Sequence, residues 1–384
     1  MKDQKGRVVN GKKPVLVVVQ LTGGNDFMNT VIPYTSSVYY DSRPTVGIPQ
    51  EEVLPFNDTL AFHPVMGPFK ELYDEGSVAI VQGIGYPNSS RSHFRGMDIW
   101  HTCEPNEVVT DGWLGNAIED LDPEHENVLT GVNFSAGLPR AMVAPGIPVS
   151  SVSDLDSYGV MTGIQEERRR TEALETFEKM YSPAIGAGPV KDYLRQTGIN
   201  VLRGADRLRE APAKYKSEVE YADNPIAKSL RDIARVHLAG LGTRIFYASQ
   251  GGYDVHALEN PTQPKLLGNL SEAISDFFRD IRSHDASDEV VVLVFTEFGR
   301  RIKDNGSGTD HGSGGGAFII GDRVKGGLYA EYPPMAHDQW LNGEDMRHTV
   351  DFRGIYATVL EQWLGLDATL IVRGTYEQIT PYES

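Results

Sequence analysis

An α/β fold built on a mainly parallel, doubly wound sheet with helices on both faces is what the sequence predicts, and three observations predict it. Continuous β-branched runs such as Val15–Leu21 (VLVVVQL) carry no polar face, as expected of strands buried on both sides. Amphipathic helical patterns separate these runs, which is the alternation of a layered α/β domain. Short glycine-rich or acidic turns follow the runs, where open parallel sheets gather functional groups beyond the carboxyl ends of their strands.

The expected strands, in chain order, are Val15–Leu21, Ser77–Gly85 (SVAIVQGIG), the weaker Arg244–Ser249 (RIFYAS), Glu289–Thr296 (EVVVLVFT) and Gly316–Ile320 (GAFII). Helical periodicity marks Pro64–Glu75, Ser92–His101, Trp113–Leu121, Ile226–Leu241, Leu266–Ser283 and Thr349–Leu364. Between them, Gln165–Tyr181 and Val190–Glu210 are charged and helical in period with no strand separating them. The chain therefore reads as one α/β domain over 14–384 with a helical insertion over roughly 149–224.

Composition narrows the function classes. The 384 residues hold 36 Lys+Arg against 53 Asp+Glu, a formal charge of −17. That balance speaks against general binding of nucleic acid or anionic membrane, both of which need a basic face. A small anionic substrate would have to be attracted locally, by metal ions or a few arginines. Cys103 is the one cysteine, so neither an intrachain disulfide nor a cysteine-based zinc site can form. The polar start MKDQKGRVVNGKK and the short apolar run behind it match neither a signal peptide nor a membrane span, and a cytoplasmic protein is expected.

Acids and histidines then fall at one expected edge of the sheet. Asp26 follows the first strand in TGGND, where it reads as a metal-binding acid or as a turn or helix-capping Asp. SSRSHFRG places Ser90 and Ser92 before an amphipathic helix and beside Arg91, so that either serine reads as a helix cap or as a nucleophile in the positive field of the helix start. His93 adjoins Ser92; the other scattered histidines read as structural. GGYDVHA sets Asp254 and His256 two apart, on the same side of an extended segment. The late strand runs into Glu297 and Arg300, and the loop NGSGTDHGSGG carries Asp310 and His311 on glycines. Four separate segments would thus bring Asp26, Asp254, His256, Glu297, Asp310 and His311 toward one or two divalent ions. No G-x-G-x-x-G opens a helix, no Walker lysine is present, and no G-x-S-x-G elbow appears, which disfavours nucleotide-cofactor enzymes and ordinary α/β-hydrolases.

The stretches VVVQLTGGNDFMNTVIPY, SRSHFRGMDIW, GGYDVHA, VFTEFGRRIKDNGSGTDHGSGG and VKGGLYA resemble domain-of-unknown-function family 1501, in order and over nearly the whole chain. The resemblance implies an alkaline-phosphatase-like and sulfatase-like α/β fold. It further implies a metal-dependent hydrolase of phosphate or sulfate esters, with zinc, manganese or calcium as cofactor and exported relatives. Carried over, Asp26 matches the first metal-binding acid and Ser92 or Ser90 the nucleophile region. Asp254 and His256 match the middle pair, Glu297 the late acid and His311 the final histidine. Arg91 or Arg300 would then stabilise transition-state charge. Two departures stand out: the middle pair is closer in sequence than usual, and Phe298 stands where a histidine normally follows the late acid. The second leaves open a non-catalytic metal-binding or scaffold relative of the same fold.

Overall fold

The structure is a computed structural model that describes residues 11–158, 166–180 and 204–382. Among these residues a nine-stranded central sheet carries the fold. Its order is Gly327–Tyr329, Val78–Gly85, Gly315–Ile320, Val290–Thr296, Val15–Thr22, Ile245–Gly251, Gly131–Asn133 and Ser150–Ser151, with Val350–Asp351 also paired to Val78–Gly85.

Each expected run is a strand of this one sheet, and the reason is burial on both faces. Val15, Val17, Val19 and Leu21 point into one apolar core, while Leu16 and Val18 point into the other. Phe69, Leu230 and Phe277, from the helices Gly67–Asp74, Pro225–Leu238 and Glu259–Ser283, cover the first face. Trp100, Trp113 and Ile355, from His93–Thr102, Trp113–Leu121 and Phe352–Thr358, cover the second. A strand with no polar side can only be stable between two such layers. The helix Phe352–Thr358 passes into a π-helical segment, Val359–Leu364, and Glu259–Ser283 starts earlier than its periodicity indicated, with Pro264 inside it.

The sheet is mainly parallel, with one inversion that decides the layout of the site. Val15–Thr22 runs parallel to Val290–Thr296 and to Ile245–Gly251. Gly315–Ile320 lies antiparallel between Val78–Gly85 and Val290–Thr296. The carboxyl ends of the parallel strands and the amino end of Gly315–Ile320 therefore share one edge. Just before that amino end, the hairpin Arg300–Asp304/Thr309–His311 rises and returns.

Within the segment expected as an insertion, Ser150–Ser151 extends the sheet beside Val132–Asn133. Val152, Leu155, Leu208 and Ala211 join the core on the first face. A helix spans Glu167–Met180; the parts of the expected insertion at 159–165 and 181–203 lie outside the described residues. No helix among the described residues is long and apolar enough to cross a membrane.

Candidate metal centre

Three imidazoles and one carboxylate converge at the carboxyl edge, delivered by three segments at strand ends. Asp254 and His256 come from the exit of Ile245–Gly251, His311 from the hairpin ahead of Gly315, and His93 from the first turn of the helix behind Val78–Gly85. The close approach of these segments depends on Gly23 and Gly24. A Cβ on Gly23 would sit 2.4 Å from the Asp254 amide nitrogen, and one on Gly24 would sit 2.6 Å from the Phe298 ring. Both glycines have positive φ, +120° and +75°, a backbone that side chains disfavour.

The three histidines are oriented alike. His311 Nδ1 lies 2.7 Å from the Arg91 carbonyl, His256 Nδ1 3.0 Å from Asp310 Oδ1, and His93 Nδ1 2.9 Å from Glu297 Oε1. A carbonyl or carboxylate can only accept, so each Nδ1 carries the proton and donates it. In the neutral ring the other nitrogen, Nε2, then holds a bare lone pair. All three Nε2 atoms face Asp254. His311 Nε2 and His256 Nε2 lie 3.0 Å and 3.1 Å from Asp254 Oδ1, and His93 Nε2 lies 3.3 Å from Oδ2. His256 Nε2 and His311 Nε2 are 2.9 Å apart.

Such a knot of lone pairs and a carboxylate is stabilised by positive charge at its middle. A tetrahedral ion with bonds of about 2.0–2.1 Å separates its ligands by about 3.3 Å, close to the 3.0–3.3 Å between Asp254 and each of the three Nε2 atoms. The His93 Nε2 atom is buried and has no hydrogen-bond partner, the condition of a ligand atom facing a cation. The ligand atoms of His93, Asp254 and His311 lie within 4.8 Å of one another; His256, against Asp254 and His311, stands outside that group and would have to move closer to join it. Histidines locked by a carboxylate or carbonyl through Nδ1 are the usual ligands of zinc-type ions. The donor set fits such an ion.

Electrostatics keep Asp254 and Asp310 ionised and favour a positive charge at His93, which a proton or a bound cation would supply. Burial works to raise the Asp254 carboxyl, but the hydrogen bond from Arg300 and the His311 ring outweigh it and hold the group well below the ordinary carboxylate range. The hydrogen bond to Glu297 raises the His93 imidazole above its ordinary value against the opposing effect of burial. The hydrogen bond from His256 holds Asp310 low.

Other residues expected at the site take different places. Asp26 is fully buried, and both its oxygens face Arg43, whose Nη2 is 3.0 Å from Asp26 Oδ1; Met28 N also donates to Oδ1. Its carboxylate is committed to a buried ion pair instead of the lone-pair cluster. Burial and then the Asp26 carboxylate push the neighbouring Glu259 carboxyl upward, so this pocket holds a second buried acid that periodicity and spacing did not signal. Glu297 accepts from Gly23 N and His93 at Oε1 and from Thr296 Oγ1 at Oε2, so both its oxygens are engaged and it orients the His93 ring. Asp310 does the same for His256.

Arg300 is fully buried and directs its donors at the carbonyls of Gly23, Gly24, Tyr253 and Thr309 and at Asp254 Oδ1, 2.8 Å away. It fastens the loops together, and its complete burial keeps it away from a substrate. Arg91 is held by Asp345 at 2.6 Å and by Glu344 at 3.7 Å, and serves the centre through its carbonyl. Ser92 is the residue ahead of the helix His93–Thr102, exposed and with no side-chain capping bond. Ser90 Oγ, in contrast, accepts from Ser92 N at 3.3 Å.

Phe298 occupies the place where a second ion's ligand was expected. The ring is buried, 4.9 Å from the His93 ring and 5.0 Å from the His311 ring. It packs where Gly24 and Gly96 leave room. His93 is the site residue that spacing alone did not assign; its one signal was its position between Ser92 and the first helical turn. Glu297→Gln should lower affinity for a bound divalent ion by about 10–100-fold, because the amide no longer enforces the His93 tautomer. Competition against a chromogenic chelator measures this.

The family described as "Protein of unknown function (DUF1501)" matches residues 13–375. No curated protein matches the chain. Solved structures with similarity include a protein in the alkaline phosphatase superfamily from Vibrio parahaemolyticus, 11% identical over 98% of this chain and 73% of that one, with a TM-score of 0.40. The Ps i-CgsB structure is 8% identical over 95% of this chain and 75% of its own, TM-score 0.43. The PsFucS1 sulfatase from Pseudoalteromonas sp. is 12% identical over 96% of this chain and 71% of its own, TM-score 0.41.

Proposed function

The chain belongs to the DUF1501 family, and from that premise and the imidazole geometry we propose a hydrolase of phosphate or sulfate esters that works with one divalent ion held by His93, Asp254, His256 and His311. The observation that carries this reading is the common orientation of the three rings, each with Nδ1 committed outward and Nε2 aimed at Asp254. Three nitrogens and one oxygen favour zinc over calcium, which prefers all-oxygen surroundings. Phe298 favours a single ion over a pair.

When bound, the ion supplies Lewis acidity and lowers the pKa of an oxygen nucleophile. The chain's own groups supply the rest. Ser92 offers an unspent hydroxyl one residue from His93, at the amino end of a ten-residue helix. Its oxygen, losing its proton to solvent, would attack phosphorus or sulfur as the ester oxygen departs in line and is protonated from water, and a second attack by water would release phosphate or sulfate and restore the Ser92 hydroxyl. The first intrahelical bond is Gly96 N to Ser92 O at 2.7 Å, so the N–H groups ahead of Gly96 are left to hold the anionic oxygens. A cleft of about 590 Å³ opens beside His93 between Phe94, Met97 and Arg140, and Phe94 is 93% exposed. It has room for the leaving group.

Purified protein should carry about one zinc-type ion per chain and hydrolyse an aryl phosphate or aryl sulfate. Chelation should remove both ion and activity, and readdition should restore both. A metal-loaded protein inactive on all such esters would overturn the catalytic part and leave the ion-binding part. That second reading, a non-catalytic metal-binding relative, is favoured by Phe298 and by the engagement of both Arg91 and Arg300 elsewhere.

A further inference from the structure

At the opposite edge of the sheet from the histidine cluster, Arg244 is buried without a carboxylate. Every other arginine buried among the described residues grips one. Arg43 holds Asp26, Arg170 holds Asp206, Arg235 holds Asp156 and Asp232, Arg300 holds Asp254, and Arg353 holds Asp351. Arg244 is 8% exposed, and its one side-chain bond runs from Nε to the Pro14 carbonyl at 2.7 Å. Its Nη2 is buried with no partner, as is the hydroxyl of the adjacent Thr243. Burial pulls the guanidinium down to about 10, with no acid offsetting it. A buried cation without a counter-ion is costly, and natural structures rarely keep one idle.

Arg244 and Thr243 line a cavity of about 350 Å³, together with Lys13, Val15, Leu121 and His237. Two of the three acids at the same cavity, Glu289 and Asp122, already have partners. Glu289 pairs with Lys12 at 3.0 Å and lies 3.3 Å from His237. Asp122 accepts from Glu126 N, Asn127 N and the Thr130 hydroxyl. We propose that this cavity is a binding site for a small organic monocarboxylate, its carboxylate taken by the Arg244 guanidinium and the Thr243 hydroxyl and its apolar body lying against Val15 and Leu121. A guanidinium edge matches the two oxygens of a carboxylate in one plane. Lys12, Lys13 and Arg244 balance Glu289, Asp122 and Glu126 around the cavity, so one added negative charge is better accommodated than the two of a phosphate. The volume falls within the range of small-molecule sites, about 300–1,000 Å³.

The test is titration of the full chain with butanoate and benzoate, followed by NMR or calorimetry, with butanamide and inorganic phosphate as comparisons. Butanoate and benzoate should bind with Kd on the order of 1 mM or tighter, and butanamide and phosphate should bind at least about tenfold more weakly. Binding should survive removal of divalent ions by a chelator, which separates this site from any carboxylate held at the histidine cluster. Arg244→Gln should weaken butanoate by about tenfold or more. Thr243→Val, which leaves the Nε bond to Pro14 intact, should weaken it by a smaller factor and serves if Arg244→Gln does not fold. The proposal is overturned if butanamide binds as well as butanoate, if chelation abolishes binding, or if neither variant changes the affinity.

Discussion

Asp254→Asn is expected to emerge from purification folded and without a bound divalent ion, where wild type retains one. The carboxylate is the hub of the centre: Oδ1 sits 3.0 Å from His311 Nε2 and 3.1 Å from His256 Nε2, and Oδ2 sits 3.3 Å from His93 Nε2. Replacing it by a neutral amide removes the one negative charge among the four ligands. The loss should exceed the about 10–100-fold expected for Glu297→Gln, which touches the centre only through His93. The amide is preferable to alanine because Arg300 Nη2 donates to Oδ1 from a fully buried position. Asparagine keeps an acceptor there, whereas alanine would leave the cation dependent on its four carbonyls. His256→Ala makes an independent check, since His256 is exposed and anchors no buried cation. Metal content by atomic emission, with circular dichroism as the measure of folding, reads both variants. Wild-type metal content in Asp254→Asn would sink the proposed centre, in which the Asp254 carboxylate is the hub that all three Nε2 atoms share.

The strands were legible because a β-branched run without a polar face has few other uses, and Val15–Thr22 feeds its alternate residues into two cores as that pattern requires. The direction of Gly315–Ile320 was not legible, since an apolar run reads the same for either orientation. That inversion brings His311 back to the edge shared with Asp254. Edge placement followed from strand ends; which atoms meet did not. Glu297 and Asp310 lie at the expected edge, yet spacing cannot distinguish a carboxylate that faces an ion from one that receives a histidine Nδ1 proton. Asp26 shows the same ambiguity more sharply. A carboxylate after a buried strand serves equally as ligand or as partner to a buried cation, and Arg43, seventeen residues on, gives no local sign that it folds back onto Asp26. His93 was obscured by its neighbours, because Ser90, Arg91 and Ser92 all carry stronger local readings as caps or anion-binding groups.

Ser92→Ala is expected to abolish ester turnover, by about 10⁴-fold or more if its oxygen is the attacking group, while leaving metal content unchanged. The geometry sharpens this comparison. A serine at a helix start that caps through its hydroxyl costs about 0.5–2 kcal/mol when replaced by alanine. Ser92 makes no such bond, so its replacement should cost less than the bottom of that range. An unchanged melting temperature with lost turnover therefore isolates chemistry from stability. Ser90→Ala is the necessary control, because Ser90 Oγ takes the Ser92 N–H and shapes the turn that presents Ser92. It should lower turnover modestly through loss of that support; complete loss in Ser90→Ala with survival in Ser92→Ala would transfer the nucleophile to Ser90. Equal activity in wild type and both variants would remove serine from the mechanism and leave an ion-activated water as the attacking oxygen. If wild type itself turns over no phosphate or sulfate ester when loaded with zinc or manganese, the weight shifts to Phe298. Its buried ring lies against His93 and His311, where a second ion would need a ligand, and a single ion bound there would then hold loops together instead of driving hydrolysis.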